Sequence, residues 1–353
     1  MGASVIFNHE MLTLARESRG LSQIDLARAL GLSQGEISKI ETGFRLPDAE
    51  QVRRFAQYLR YEEEFFYLNE RIRNFGTSCV YHRKRLSTPE RVLRRLLAMA
   101  NVCGIQIRKL LVSVDIKVES KFQPLDIEDY SGNAEKIAQT VRVIWRLPPG
   151  PIKNLVREIE DAGGIVIRCD FGTTKVDAVS QWVLDLPPLF FVNMSIPTDR
   201  LRFTLAHEIG HIIMHQTPTD NMEREADRFA AEFLMPANEI KPHLYDLNLP
   251  KMATLKQHWR VAMSAILKRA CDLATITPRS KSYLWMQMGK FGYRKIEPIS
   301  IPPEEPALLE EIISAHRKDL GYSQGDFTKL LYGVETALAQ ALKSNTYQLR
   351  IVG

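Results

Sequence analysis

A chain of 353 residues with 45% hydrophobic and 25% charged side chains has the composition of an ordinary folded protein and room for two or three domains. Its formal net charge of +5 is unevenly spread, and it contains neither a run near the ~20 apolar residues of a membrane helix nor a C-x-x-C pair. These absences argue against a membrane span and a cysteine-ligated metal; Cys79, Cys103, Cys169 and Cys271 read as reduced core or surface thiols. The first ten residues carry no secretory pattern, so the expected location is the cytoplasm.

Residues 11 to 60 read as four or five short helices. Leu12, Leu14 and Ala15 belong to the first, which stops at Gly20. Ser22 caps a second helix, Gln23 to Leu30, with Leu26, Ala27 and Leu30 facing inward, and Gly31-Leu32 makes a tight turn. Ser33 caps a third, Gln34 to Glu41, whose Ile37 and Ile40 face inward while Gln34, Gly35, Ser38 and Lys39 face out. A helix, a short glycine turn and a second helix with a polar outer face make a helix-turn-helix. The run L-S-Q-I-D-L-A-R-A-L-G-L-S-Q-G-E-I-S-K-I-E-T-G resembles the Cro/phage-repressor type of DNA-binding domain. That resemblance implies a phosphate contact from Gln23 and base reading by Gln34, Ser38 and Lys39, with Ser33 among the DNA contacts at the helix start. Gly35 departs from the pattern, because a base-reading side chain often stands there.

Charge alone does not point to DNA. Residues 1 to 70 carry eight Lys and Arg against eleven Asp and Glu, and a protein-interaction domain would use the same fold. Residues 71 to 110 reverse the balance, with ten Lys and Arg against the single acid Glu90. This basic helical linker is either a solvated face or a source of phosphate contacts.

A second organised region follows the loop-like Lys121 to Tyr130. Ala134, Ile137, Ala138, Val141 and Ile144 recur at helical spacing up to Trp145, Pro148-Pro149-Gly150 breaks the helix, and another runs from Ile152 to Ala162. Ile165 to Ile167, Val183-Leu184 and Leu189 to Val192 read as strands, the last beside a helix that Thr198-Asp199 caps and Thr217-Pro218 ends near His215.

That helix carries His207-Glu208-Ile-Gly-His211. Two histidines four apart differ by about 40° in azimuth, so they can hold one metal ion together. Glu208 stands on the same half of the wheel, placed to reach a water at the metal without being a ligand; this is the H-E-x-x-H arrangement of zinc peptidases. Ala206 and Gly210 are small enough for a close neighbour. An open zinc site needs a third protein ligand. In the next helix Glu223 shares the buried face with Ala226, Asp227, Ala230, Phe233 and Leu234, whereas Glu225 shares a wet face with Arg228 and Glu232. Glu223 is therefore the expected third ligand, its alternative being a capping glutamate after Asp220. Asp227, one turn on, is placed to accept the second N–H of a ligating histidine. His215 lies about 12 Å along the axis from His207, too far to share the ion, and reads as structural or as an outer partner.

F-V-N-M-S-I-P-T-D-R-L-R-F-T-L-A-H-E-I-G-H-I-I-M-H followed by E-R-E-A-D-R-F-A-A-E-F-L-M-P resembles the ImmA/IrrE metallopeptidases over roughly residues 130 to 275. The chain as a whole reads as multidomain and mostly α: an all-α helix-turn-helix domain over 1–70, the basic helical linker region 71–130, an α+β zincin-like metallopeptidase domain over 131–250, a helical appendage over 251–290 and a C-terminal helical region over 291–353. The resemblance further implies zinc or another divalent transition metal, and cleavage of a Cro-like repressor that frees a stress-response or mobile-element regulon. Asn193 matches a family position and is expected to align substrate backbone. Expected partners are the protein substrate, double-stranded DNA and a second copy of the chain, with no membrane. The alternative is a transcription regulator or antitoxin whose metallopeptidase-like domain senses or supports.

Two features lie beyond the peptidase motifs. Leu255 to Leu273 reads as one more helical stretch, similar to the helix-turn-helix-like appendage of such peptidases but without a matching second turn. Gly321-Tyr-Ser323-Gln324-Gly-Asp326 to Leu331 echoes Gly20-Leu-Ser22-Gln23-Ile-Asp25 to Leu30 at a constant offset of 301, a partial helix-turn-helix repeat or a chance similarity.

Overall fold

The computed structural model describes residues 6–72, 89–113, 121–183, 186–217 and 220–333, and among them helices dominate around one small sheet. The chain opens with α1 (His9–Ser18), α2 (Gln23–Leu30), α3 (Gln34–Glu41) and α4 (Ala49–Leu59). Capping boxes set three of these starts: Ser22 with Asp25, Ser33 with Glu36, and Asp48 with Gln51. Gly31, at φ 64°, supplies the left-handed residue of the α2–α3 turn. Leu12, Leu26, Leu30, Ile37 and Ile40 meet in one core, as their spacing requires.

The next helix, α5 (Glu90–Ser113), replaces the expected basic linker with a shared wall. Its Ala98, Val102 and Ile105 enter the N-terminal core, and its Leu96, Met99, Cys103, Ile107 and Leu110 enter a second one. A helix that is apolar on opposite sides is buried, not solvated. Its arginines turn to the N-terminal helices: Arg91 donates to the Gly20 carbonyl at 2.5 Å and pairs with Asp25 at 3.1 Å, and Arg108 meets Glu70 at 2.6 Å. Here the cation surplus answers the neighbouring acids. Arg73, Arg83, Lys84 and Arg85 lie outside the described residues.

After α6 (Ala134–Ile144) and α7 (Leu155–Asp161) comes a sheet of β1 (Ile165–Cys169), β2 (Ala178–Gln181) and β3 (Leu189–Asn193), in the order β1-β3-β2. β1 runs parallel to the central β3 and β2 antiparallel to it, so that Ile167 and Val179 flank Phe191. The strand expected at Val183-Leu184 is absent at Val183, and Leu184 lies outside the described residues. Its place in the sheet belongs to β2, whose Ser180 and Gln181 look like loop residues until both faces are covered. Ile165, Ile167, Val179, Leu189 and Phe191 pack on the α5 side, and Val166, Ala178, Phe190 and Val192 pack on the other. Covering on both faces explains the continuous apolar runs in β1 and β3.

The second face supports α8 (Thr198–Met214) and α9 (Met222–Leu234). They are followed by α10 (Leu249–Trp259), α11 (Met263–Asp272) and α12 (Pro278–Lys290). The single helical stretch expected over Leu255 to Leu273 is thus two helices. Arg260, at φ 57°, and the extended Ala262 repeat the left-handed residue and extended cap that Gly31 and Ser33 provide between α2 and α3. A second helix-turn-helix-like turn therefore does exist, contrary to the sequence reading.

Residues 297–307 form neither helix nor strand, yet they are fastened by carboxylates: Glu297 to Lys256 at 2.6 Å, Glu304 to Arg202, and Glu305 to Arg168 at 2.5 Å. They lead into α13 (Leu308–Lys318) and α14 (Gln324–Leu330), which close the second core. The repeat at offset 301 is structural as far as it is described. Gly321 takes φ 70° where Gly20 takes 68°, Ser323 and Asp326 rebuild the capping box of Ser22 and Asp25, and Ile312, Ile313 and Phe327 are buried where Met11, Leu12 and Leu26 are. Among the described residues no helix is long and apolar enough to cross a membrane.

Candidate metal centre

α8 is anchored before it presents any chemistry. Pro197 precedes it without a side-chain cap, so Thr198 and Asp199 are its first residues, not its cap. Asp199 instead pairs with the buried Lys256, and the fully buried Arg202 pairs with Glu304 and donates to the Ile152 carbonyl at 2.7 Å. Further along, a Cβ on Gly210 would stand 3.1 Å from the Phe229 ring and 3.3 Å from the Ala226 Cα, so α8 and α9 touch there as the small residue anticipates.

This contact brings three donors together. His207 Nε2 and His211 Nε2 lie 2.9 Å apart, and the Glu223 carboxylate is 3.1 Å from the second and 3.5 Å from the first. Tetrahedral ligands at ~2.1 Å from one zinc are about 3.4 Å from each other, so the three have the spacing of a metal set. Among the described residues they are the one such group of His, Cys, Asp and Glu. Two imidazole nitrogens facing each other beside a carboxylate must share a proton or a metal ion. A proton answers this in part: although burial opposes its charge, hydrogen bonds to Asp227 and Glu223 push His207 up to about 9. A divalent ion answers all three donors.

The outer partners fix both rings. His207 Nδ1 lies 3.0 Å from Asp227 Oδ1, and Lys268 Nζ donates to Asp227 Oδ2 at 2.8 Å. Burial raises Asp227, but its bonds to His207 and Lys268 outweigh that and hold it at about 2, so it stays an acceptor. His211 Nδ1 lies 2.9 Å from His215 Nδ1, and His215 Nε2 lies 3.0 Å from Glu225 Oε2. Burial first, then His211 and His207, lower His215 to about 3, which keeps it neutral.

Glu208 is 1% exposed and stands beside the donors without joining them. Its Oε2 accepts from Ser180 Oγ at 2.5 Å. Ser180 escaped the sequence reading together with its strand, and an isolated serine 28 residues from its partner carries no local signal.

Other expectations need revision. Glu225 does not face water but His215, and Glu232 is 1% exposed, held by Arg269 and by Gln139 at 2.8 Å. The supposed wet stripe of α9 is covered because α6 packs along it, His215 meets Glu225 and Arg269 reaches Glu232. Glu223 caps nothing, since α9 starts without a side-chain cap bond. Asn193 is 2% exposed; its amide donates to the Thr173 and Val176 carbonyls at 2.6 and 2.9 Å, and its Oδ1 accepts from the Ser195 N–H at 3.1 Å. It closes a turn at the end of β3 and has no face left for substrate backbone. A cleft of about 540 Å³ opens beside Glu223, lined also by Asp220, Asp227, Arg228 and Lys268. Lys268 belongs to α11, so the second helix of the helix-turn-helix-like pair forms a wall of this cleft.

In the N-terminal helices, Gln23 donates to Glu41 at 2.8 Å and accepts from Gln34 at 2.7 Å, while Arg16 also pairs with Glu41. Gln23 and Gln34 are thus set side by side at the start of α2 and α3. Lys39 is exposed and Ser38 half-buried on α3, and the space before Gly35 is open. Ser33 is engaged as a cap: its hydroxyl donates to Glu36 and accepts from the Glu36 N–H.

Residues 159–270 match the family model of the IrrE N-terminal-like domain, a peptidase family, and residues 12–66 match that of a helix-turn-helix. The chain carries a domain similar to the IrrE N-terminal-like family behind a helix-turn-helix. No curated protein matches it. The IrrE-like match spans β1 to α11, and so takes in the three donors, Glu208, Asp227 and Lys268. The helix-turn-helix match spans α1 to α4 and supports DNA binding.

Proposed function

We propose that the chain is a zinc-dependent endopeptidase fused to a DNA-binding domain, and that its substrate is a Cro-like transcriptional repressor whose cleavage releases a stress-response or mobile-element regulon. The observation that carries this reading is the convergence of His207, His211 and Glu223 within 3.5 Å of one another beside a buried Glu208 that is not among them. Both histidines would hold the ion through Nε2, and Glu223 through its carboxylate. A divalent ion so held supplies Lewis-acid polarisation of a peptide carbonyl. Glu208, oriented by Ser180, takes the proton of the attacking water and returns it to the leaving amine. Asp227 and His215 keep the two rings in place. The acidic and basic groups of the cleft receive the polypeptide.

The fused helix-turn-helix supports a target within transcription control. Gln23, Gln34, Ser38 and Lys39 are the proposed DNA contacts, with Gln23 on phosphate. The test is incubation of the zinc-loaded protein with helix-turn-helix repressors encoded beside its gene. Wild type should cut one of them at a single bond and Glu208→Gln should not. If both leave every candidate intact, the peptidase reading fails. Sequence-specific, salt-sensitive retardation of operator DNA that Gln34 and Lys39 substitutions abolish would then favour a regulator instead.

A further inference from the structure

The two histidines of the centre are backed by different chemistry. His207 leans on a carboxylate, Asp227, whose second oxygen is neutralised by Lys268. His211 leans on another imidazole. Ring nitrogens of His211 and His215 that are 2.9 Å apart can form a hydrogen bond only if one of them carries the proton and the other does not.

We propose that Glu225 and His215 form a proton-ordering relay that makes His211 a metal ligand through Nε2. An ionised carboxylate only accepts, so the 3.0 Å contact from Glu225 Oε2 places the proton of His215 on Nε2. His215 Nδ1 is then a bare lone pair. That lone pair accepts from His211 Nδ1, so once an ion takes the place of the proton that Glu223, 3.1 Å from His211 Nε2, would otherwise accept, His211 keeps its proton on Nδ1 and turns its Nε2 lone pair to the site. The opposite order would put a proton on His211 Nε2, in the space a metal must occupy. His215 is 6% exposed and the Glu225 side chain 15%, so solvent has little access to rescue the order once the carboxylate is gone. Glu225 is therefore a positioning residue acting through two imidazoles. His207 needs no such relay, because Asp227 accepts from it directly.

This inference rests on the metal reading of the site, and zinc titration of the wild-type protein tests that reading first: no zinc uptake by wild type defeats the reading itself. Given uptake, Glu225→Ala should weaken zinc binding about 10- to 100-fold, measured by competition with a chelator, while its metal-free melting curve stays cooperative. Glu225→Gln retains a carbonyl acceptor at the same reach and should stay within about threefold of wild type, because the relay works by proton order and not by charge. Imidazole nitrogen NMR of the zinc-loaded wild type supplies a readout that needs no variant: His215 should be protonated at Nε2 and His211 at Nδ1. Wild-type zinc affinity in Glu225→Ala, equal losses in the Ala and Gln variants, or a His215 proton on Nδ1 each overturn the relay.

Discussion

Ser180 on an edge strand donates a 2.5 Å hydrogen bond to Glu208 on the histidine helix, and it does so from a residue that is itself 3% exposed. The carboxylate that would shuttle protons is therefore held from the sheet, while the metal donors are held from α9. The two functions can be separated by substitution. Ser180→Ala should lower the turnover of repressor cleavage about tenfold and leave zinc affinity unchanged. A parallel fall in zinc affinity would mean that β2 positions α8 as a whole.

The metal-free centre should hold a proton that zinc expels. Because His207 is raised to about 9 from an ordinary 6.5, its charged form stabilises the metal-free fold fully below pH 6.5, and that contribution is lost as pH rises through 9. The melting temperature of metal-free protein should fall across this window by an amount equivalent to up to about 3 kcal/mol, whereas that of zinc-loaded protein should change much less. Calorimetric titration at pH 7.5 in buffers of different ionisation enthalpy should register about one proton released per zinc. A metal-free melting temperature that is level from pH 6.5 to 9 would contradict the shared proton.

Glu304 neutralises Arg202 inside the protein, at 5% and 1% exposure, and also accepts the Leu155 and Val156 N–H groups that open α7. Glu304→Gln strands a buried guanidinium and should cost about 3 kcal/mol or more in urea denaturation. Replacing both partners with apolar residues of similar volume, Glu304→Leu with Arg202→Met, should recover much of that loss. No recovery in the double variant would assign the cost to the α7 cap.

Gly210 lies where α8 and α9 touch. Gly210→Val should push against the Phe229 ring and the Ala226 backbone, costing about 1–3 kcal/mol of metal-free stability and weakening zinc uptake by drawing His211 from Glu223. Crystallographic spacing of those two residues, together with zinc titration, checks it. An unchanged affinity would mean the helices separate elsewhere.

What could be read before the structure was whatever lies within a helical turn or two. His207, His211, Glu223 and Asp227 emerged from azimuth and apolar spacing, and the start of α2 and α3 from Ser22 and Ser33 with their capping partners. What could not be read was whatever depends on a distant segment. Glu225 and Glu232 looked wet because the wheel of α9 does not know that His215 and Arg269 cover it. Asn193 resembled a substrate contact because nothing nearby in sequence announces the carbonyls of Thr173 and Val176, 20 and 17 residues back, that take its amide. Glu297 and Glu304, set among prolines, had the look of a solvated loop although their cations lie 41 and 102 residues away.

The helix from Glu90 to Ser113 lends one flank to the DNA-side core and the other to the sheet. A chain cut after residue 72 therefore leaves two raw surfaces: the apolar face of α1 loses the cover of α5, and the remaining fragment bares Ala98, Val102 and Ile105 to water. The helix-turn-helix and the IrrE-like domain are in this respect not beads on a string, and exchanging one for a homologue would require carrying this helix, and the C-terminal pair that seats on it, along with it.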